Sequence, residues 1–365
     1  MTVQLIDLRP SETASIYLRP LCGPLGLGRP AAWLAGAWAG FDTLQVILRD
    51  GGATATAEGS VADIRRWIAG LGADQRARLE AVFARLIEPR PAFAGLELDH
   101  PRIMGVLNVT PDSFSDGGDY ASTEAAIARA HEQCAGGAAI LDIGGESTRP
   151  GSDPVAEEEE LGRVLPVIEA VAGAGLGASI SIDTRKAAVM ERAVAAGAAI
   201  INDISALTGD PRALGVAAEL GVHVVLMHCQ GEPKTMQAAP AYDHPPAEVF
   251  DYLEARIAAC EAAGIPRSRI AVDPGIGFGK ALDHNLALLT HLSLLHGLGC
   301  PVLLGVSRKT VIGKISGEDR PKARLPGSLA AMLAGLDQGV QMVRVHDTAE
   351  TRQAIAVWRA LRGAA

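Results

Sequence analysis

Aromatic residues are scarce in this 365-residue chain, at 4%, and its five cysteines (Cys22, Cys134, Cys229, Cys260 and Cys300) never form a C-x-x-C pair. Neither a disulfide framework nor a zinc site is suggested, so reduced thiols in a cytoplasmic protein are expected. A cationic excess is missing too, with 33 Lys and Arg against 42 Asp and Glu and a net charge of -9. Such a field repels phosphate, which argues against nucleic-acid and membrane partners and requires any anionic ligand to meet a local basic cluster. The longest apolar stretch, "AAWLAGAWAGF" at 31–41, is shorter than the roughly 20 residues that cross a bilayer and reads as core packing. The opening "MTVQLIDLRP" lacks the basic-then-apolar order of a secretory signal.

A nucleotide fingerprint is also absent where one first suggests itself. In "IAVDPGIGFGK" (270–280), a G-x-G-x-x-G count from Gly275 and Gly277 places Lys280 at the third glycine. A phosphate loop needs glycine at Pro274 and Ser or Thr at Ala281. What is left is a carboxylate, Asp273, at the end of an apolar run.

Seven other runs resemble that one. From residue 102 onward the chain contains "RIMGVLNV", "AAILDIGG", "ASISIDT", "AAIINDIS", "VHVVLMHC", "RIAVDPG", "PVLLGVS" and "VQMVRVHD", separated by helical patterns. Runs without polar alternation are buried on both faces, as parallel strands covered by helices are. Eight such units predict an α/β fold of the (β/α)8 TIM-barrel class, with an open doubly wound sheet as the alternative. Ser122 is expected to cap the first barrel helix, which stops at Gly136, and Asp347 with Glu350 three residues on is expected to cap the last. The run Glu157–Glu160 falls in a first helical turn, where it compensates the helix dipole.

Residues 1–95 stand outside the series as a small α/β appendage. In it "FDTLQVILRD" reads as a strand, and "SVADIRRWIAGL" and "ADQRARLEAVFARLIEPR" read as helices. The barrel domain is expected over 96–365, joined through "PRPAFAGLELDHP".

In a (β/α)8 barrel, chemistry lies where strands end. Those positions hold Asn108, the Glu146-Ser147-Thr148-Arg149 loop, Asp183, Asn202, His228, Asp273, Ser307 with Lys309, and Arg344 with His346. Acceptors at Asp183, Asn202 and Asp273 suit a planar heterocycle bearing an amino group and a ring N–H. Lys309 and Arg344 answer their charge, and a guanidinium stacks well on aromatic faces. Arg344 and His346, two apart, are expected to point to one side of their strand and form the anion site that the composition requires. His228, with nothing at a metal-ligand spacing beside it, reads as a satisfied rim histidine.

Eight stretches, "MGVLNVTPDSFSDGG", "DIGGESTRPG", "SIDT", "INDIS", "DPGIGFGK", "GVSRKTVIG", "RLPGSLA" and "RVHD", resemble the dihydropteroate synthase family over about residues 102–360. The resemblance implies condensation of 6-hydroxymethyl-7,8-dihydropterin diphosphate with 4-aminobenzoate, using Mg2+, in a cytoplasmic homodimer that is a sulfonamide target. It would place Asp273, Asn202 and Asp183 on the pterin edge and Lys309 on the opposite edge. Met227 would supply an apolar wall, and Arg344 would lie on the ring while touching the diphosphate with His346. Asn108 would help to hold diphosphate and magnesium. Thr148, Arg149 and Pro150 would lie near both substrates, with Phe278 and Ser307 shaping the aminobenzoate pocket. Asp183, Lys309, Arg344 and His346 would be the catalytic set.

The chain departs from the family at Cys229, at Pro245-Pro246 and throughout the first 95 residues. Two rival readings are a methyltetrahydrofolate-dependent methyltransferase and a non-catalytic pterin-binding paralogue. The first leaves "GGESTRPG" and "SRK" without a purpose, and intact loop motifs argue against the second. The Gly, Ser and Asp content of "TPDSFSDGG" and "GGESTRPG" predicts disorder in the absence of ligand, so the second pocket should form only after the pterin binds.

Overall fold

A computed structural model of the chain describes residues 2–23, 30–109, 119–147, 152–232 and 234–362, with the backbone alone at 119–122. Eight strands form its larger sheet: β5 Arg102–Asn108, β6 Ile140–Gly144, β7 Ser179–Asp183, β8 Ile200–Asp203, β9 His223–Met227, β10 Ile270–Asp273, β11 Leu303–Gly305 and β12 Met342–Val345. Every neighbouring pair is parallel, in the order β10-β9-β8-β7-β6-β5-β12-β11. A bridge between Val272 and Val302, with Val272 N–H donating to Pro301 O at 2.9 Å, brings the outer strands together and completes the (β/α)8 barrel.

The helices between the strands are α3 Asp119–Ala135, α4 Glu157–Gly173, α5 Ala187–Ala195, α6 Ala213–Leu220, α7 Pro245–Ala262, α8 Leu282–Thr290, α9 Thr310–Ser316, α10 Leu325–Leu336 and α11 Thr348–Leu361. Two expected caps are corrected. Helix α3 starts at Asp119, so Ser122 lies inside its first turn instead of before it. Asp347 does precede α11, but its carboxylate accepts from Arg308 (Nε to Oδ2 2.9 Å) and makes no cap bond, because the ion pair outcompetes a neutral backbone donor. Glu157 to Glu160 occupy the first turn of α4 as expected, although Glu160 is fully buried and ion-paired with Lys186.

The N-terminal region has more strand than the one segment the sequence indicates. Strands β1 Ser15–Cys22, β2 Ala32–Trp33, β3 Gly40–Asp50 and β4 Ala53–Ser60 make an antiparallel sheet, followed by α1 Val61–Ala69 and α2 Ala73–Ile87. Gly51 and Gly52, at φ +55° and +83°, form the two-residue turn between β3 and β4, where both central residues need positive φ. Ser60 caps α1 by accepting from Asp63 N–H at 3.1 Å.

This unit is packed onto the barrel. Tyr17 and Ile47 belong to the same buried cluster as the barrel helices, and Tyr17 Oη donates to Asp251 at 2.6 Å. Trp38, from the stretch expected to pack in a core, stands edge-on to Trp358 with centroids 6.2 Å apart and donates to Leu336 O. The connecting segment closes the barrel's N-terminal end. Phe93 is fully buried beneath an inner layer of Met104, Ile140, Ile200, Val225, Ala271, Leu303 and Met342, and meets the His223 ring edge-on at 4.8 Å.

Candidate active site

Strand register sets the polar layer at the opposite end. Asp183 pairs with Gly144 on one side and Asn202 on the other. A Cβ at Gly144 would stand 3.3 Å from that of Asp183, so the glycine leaves room for the carboxylate. Arg344 reaches across the barrel: Nε donates to Asp142 Oδ2 at 2.6 Å and Nη2 to Asp183 Oδ2 at 2.7 Å. Asn202 Nδ2 donates to the same Asp142 oxygen at 3.0 Å, which orients the amide so that its oxygen is left as an acceptor.

Asp142 has no role in the sequence reading, although it lies within "DIGGESTRPG" as a carboxylate in an otherwise apolar run. It is fully buried, and its Oδ1 has no hydrogen-bond partner among the described residues. A buried unpaired carboxylate oxygen is costly and marks a place where a ligand donor is to be received.

Asp273, Lys309 and Arg344 converge on Gly305. A Cβ there would lie 3.6 Å from Lys309 Nζ, 3.8 Å from Asp273 Oδ2 and 3.9 Å from Arg344 Cβ. Asp273 Oδ1 accepts from Gly275 N–H at 2.7 Å. Lys309 donates to Ile276 O, and its ammonium stands 4.7 Å from the centroid of the Phe278 ring. Arg308 between Ser307 and Lys309 has φ +59°, a left-handed conformation that carries a strain of about 1–2 kcal/mol and is secured by its pair with Asp347.

Burial governs the proton affinities. It raises Asp183 and Asp273 above the usual carboxylate range, against the pull of Arg344 and Lys309 respectively. It lowers Lys309 to about 8, against the pull of Asp273. Burial opposes the charge of Arg344 as well, but Asp142 and Asp183 prevail and hold the guanidinium protonated.

Lys280, the last residue of the glycine-rich stretch, is buried and bonded on every side. Its ammonium meets His228 Nδ1, Gly275 O and Phe278 O, each at 2.9 Å, and His228 O at 3.2 Å. It ties the loop after β10 to the loop after β9. Gly275 is required at that crossing, because a Cβ there would come within 1.9 Å of His228 O. Burial and the Lys280 charge push His228 down to about 3, so it is a neutral acceptor, the satisfied rim histidine the sequence suggests. A second ionic group surrounds Glu146, which accepts from Arg185 (3.0 Å) and Lys186, while Arg185 also reaches Glu232 at 2.9 Å.

The remaining expected residues are placed as follows. Asn108 ends β5 and is partly buried, and Met227 is buried at the end of β9. Ser307 Oγ is 3.0 Å from His346 Nδ1. His346 lies one residue beyond β12 and is turned to Ser307, whereas Arg344 is turned to the carboxylates, so the two face different neighbours. Thr148, Arg149, Pro150 and 110–118 of "TPDSFSDGG" lie outside the described residues. All five cysteines are free, and no helix among the described residues is long and apolar enough to cross a membrane.

Comparison with known proteins agrees with this geometry. The sequence model of the pterin binding enzyme family matches residues 104–346. The dihydropteroate synthase of Escherichia coli K12 is 50% identical over 262 residues, which are 72% of this chain and 92% of that protein. A solved structure of Xanthomonas albilineans dihydropteroate synthase with 4-aminobenzoic acid has a TM-score of 0.70 at 50% identity, covering 74% of this chain and 96% of that one. Another of the same enzyme, with 7,8-dihydropteroate, has a TM-score of 0.67 at 48% identity, covering 73% and 95%. The chain belongs to the pterin-binding enzyme family and, within it, to the dihydropteroate synthases.

Proposed function

We infer that the barrel mouth joins 6-hydroxymethyl-7,8-dihydropterin diphosphate to 4-aminobenzoate, releasing diphosphate and forming 7,8-dihydropteroate. The observation that carries this reading is the set of acceptors at the mouth, with Asp142 and Asp183 bonded to Arg344, Asn202 bonded to Asp142, and Asp273 meeting Lys309 over the bare Gly305. A pterin presents the matching pattern, with amino and ring N–H donors on one edge and a carbonyl and ring nitrogen on the other. The relatives crystallised with 4-aminobenzoic acid and with 7,8-dihydropteroate support the second substrate and the product.

In the reaction the arylamine nitrogen forms a bond to the methylene carbon as the carbon–oxygen bond to diphosphate breaks, and the amine proton is lost to solvent. An arylamine is neutral at pH 7, so no strong base is needed. Departure of the leaving group is the difficult event, and pre-oriented charge lowers its barrier. Asp183, bonded to Arg344, and Asp273 place acceptor oxygens where positive charge develops on the pterin. Lys309 holds the opposite edge, beside Phe278, whose ring with Ser307 walls the aminobenzoate pocket. In this proposal Arg344, from its place on the carboxylates, and His346, from its place beside Ser307, reach the leaving group from two sides, with Thr148, Arg149 and Pro150 of the neighbouring loop.

Magnesium belongs to the same proposal. Among the described residues no group of three or more His, Cys, Asp or Glu side chains is placed to hold a metal. Mg2+ commonly takes one or two protein oxygens and fills its shell with substrate phosphate and water, so a single amide oxygen at Asn108 fits. When bound it neutralises diphosphate charge. A homodimer is proposed as well, and sedimentation tests it.

Incubation of the full chain with labelled 4-aminobenzoate, the pterin diphosphate and Mg2+ should yield labelled dihydropteroate, and its absence overturns the assignment. Titration of a sulfonamide should show far tighter binding once pterin, diphosphate and Mg2+ are present. Equal affinities would mean that the second pocket is preformed.

A further inference from the structure

The end of the barrel away from the mouth has a cavity of its own. It lies between the approaches to β5 and β6 and helix α11, and holds about 220 Å3. That exceeds the roughly 150 Å3 of an apolar cavity able to take up benzene. Its apolar surfaces come from Pro101, Ile103, Ala139 and Ile355. Its basic side chains are His100, Arg102, Arg352 and Arg359, and no carboxylate is among the described residues that line it.

Helix α11 presents Arg352, Ile355 and Arg359 at offsets of three and seven, which fall on one helix face, so two guanidiniums flank one apolar side chain. The Arg352 stem is seated on Gly137, where an added Cβ would come within 2.8 Å of its Cδ. Gly137 has φ +100°, so both its conformation and the close approach require glycine. Neither Arg352 nor Arg359 has an ion pair or side-chain hydrogen bond among the described residues. The carboxylate near His100 and Arg102 is Asp99, whose Oδ1 is 2.6 Å from His100 Nδ1 and 3.5 Å from Arg102 Nη2. Arg102 also donates from Nε to Glu97 O. Asp99 is 73% exposed, so its charge is mostly solvated. In a chain of net charge -9, two guanidiniums without an ion pair among the described residues, beside an apolar pocket, form a local reversal of the general field.

We propose that this cavity is a second ligand site, separate from the barrel mouth, for a small organic anion: a carboxylate carried on a compact branched or cyclic hydrocarbon. The oxyanion pairs with Arg352 and Arg359, a geometry in which guanidinium bonds are short and charge-assisted. The hydrocarbon fills the cavity between Pro101, Ala139 and the remaining open edges of the buried Ile103 and Ile355. Inorganic phosphate lacks the apolar half and a neutral alcohol lacks the charge, so neither satisfies both surfaces.

The test uses the full chain labelled with 15N, titrated with cyclohexanecarboxylate, inorganic phosphate and cyclohexanemethanol. The carboxylate should shift the amides of Gly137, Ala139 and Ile355 saturably, and each of the other two probes should bind at least about tenfold more weakly. The double variant Arg352→Ala/Arg359→Ala, altered on a solvent-facing helix side, should lose at least about tenfold in carboxylate affinity while forming dihydropteroate at the wild-type rate. No saturable shift at these amides, shifts confined to mouth residues such as Gly275, phosphate binding as tightly as the carboxylate, or unchanged affinity in the double variant would each overturn the proposal.

Discussion

The two ends of one set of eight strands are built to opposite specifications. At the C-terminal end Asp142, Asp183, Asn202, Asp273, Lys309 and Arg344 crowd a mouth in which one buried carboxylate oxygen has no hydrogen-bond partner among the described residues. At the N-terminal end the inner layer is apolar and Phe93 seals it. Buried polar groups that await a ligand cost stability until it arrives, whereas buried hydrocarbon contributes stability at all times. The difference teaches that the barrel holds its shape from below and performs its chemistry above, so changes at the two ends should separate folding from binding.

Removal of the lower seal altogether should have the largest effect. A chain beginning at Leu96 loses Phe93 together with Tyr17, Ile47 and Trp38, all packed against the barrel. It should lack a cooperative unfolding transition in calorimetry, and a sharp transition near that of the full chain would show that the barrel closes without help. On the first outcome the proposed division at 95/96 would be one of chain organisation and not of independent stability. Next in size is Phe93→Ala. A fully buried phenylalanine replaced by alanine costs about 3–5 kcal/mol, to be read from denaturant unfolding, with KM for both substrates unchanged.

Asp273→Asn should do the reverse. One carboxylate oxygen becomes a donor facing donors, and loss of a charged hydrogen bond of about 1.5–3 kcal/mol corresponds to a fall in pterin affinity of roughly ten- to over a hundredfold. Unfolding free energy should be unchanged or higher. Unchanged pterin affinity by calorimetry would remove Asp273 from the site.

The smallest effect is a difference in pH dependence. Asp273 has a raised proton affinity in the fold, so below the ordinary carboxylate value both folded and unfolded chains hold the proton. As pH rises the unfolded chain releases it more readily, and the stability that the raised value contributes is lost. The Tm of Asp273→Asn relative to wild type should therefore climb as pH rises from about 4 towards 7. Phe93→Ala removes no titrating group, and its Tm deficit should stay level over the same range. A level difference for Asp273→Asn as well would mean that Asp273 is not held in a low-dielectric site.

Much of this arrangement is legible in the sequence because it is local. Eight apolar runs specify eight buried strands, and a polar residue that ends such a run falls on the barrel rim whatever the details of packing. Asp183, Asn202, Asp273 and Lys309 are visible for that reason, as is the neutral role of His228. Caps were harder, since Asp347 has a competing partner in Arg308, 39 residues away in sequence. Strands β1, β2 and β4 are not legible because none is a continuous apolar run: Arg19-Pro20 interrupts β1, β2 has two residues, and β4 is mostly Ala, Thr, Gly and Ser with Ala57 as its one buried residue.

The sequence by itself determined the strand count of the barrel, the placement of charge at its strand ends and the family. Each follows from periodicity and from residues adjacent along the chain. Only the tertiary structure decided which group meets which: Arg344 with Asp142 and Asp183, Lys280 beneath the glycine loop, Phe93 across the barrel floor, and Arg352 and Arg359 beside a second cavity. The Arg344–Asp142 bond alone joins residues 202 positions apart. No local propensity encodes such meetings, because their free energy arises only when closure of the barrel removes water from between the partners.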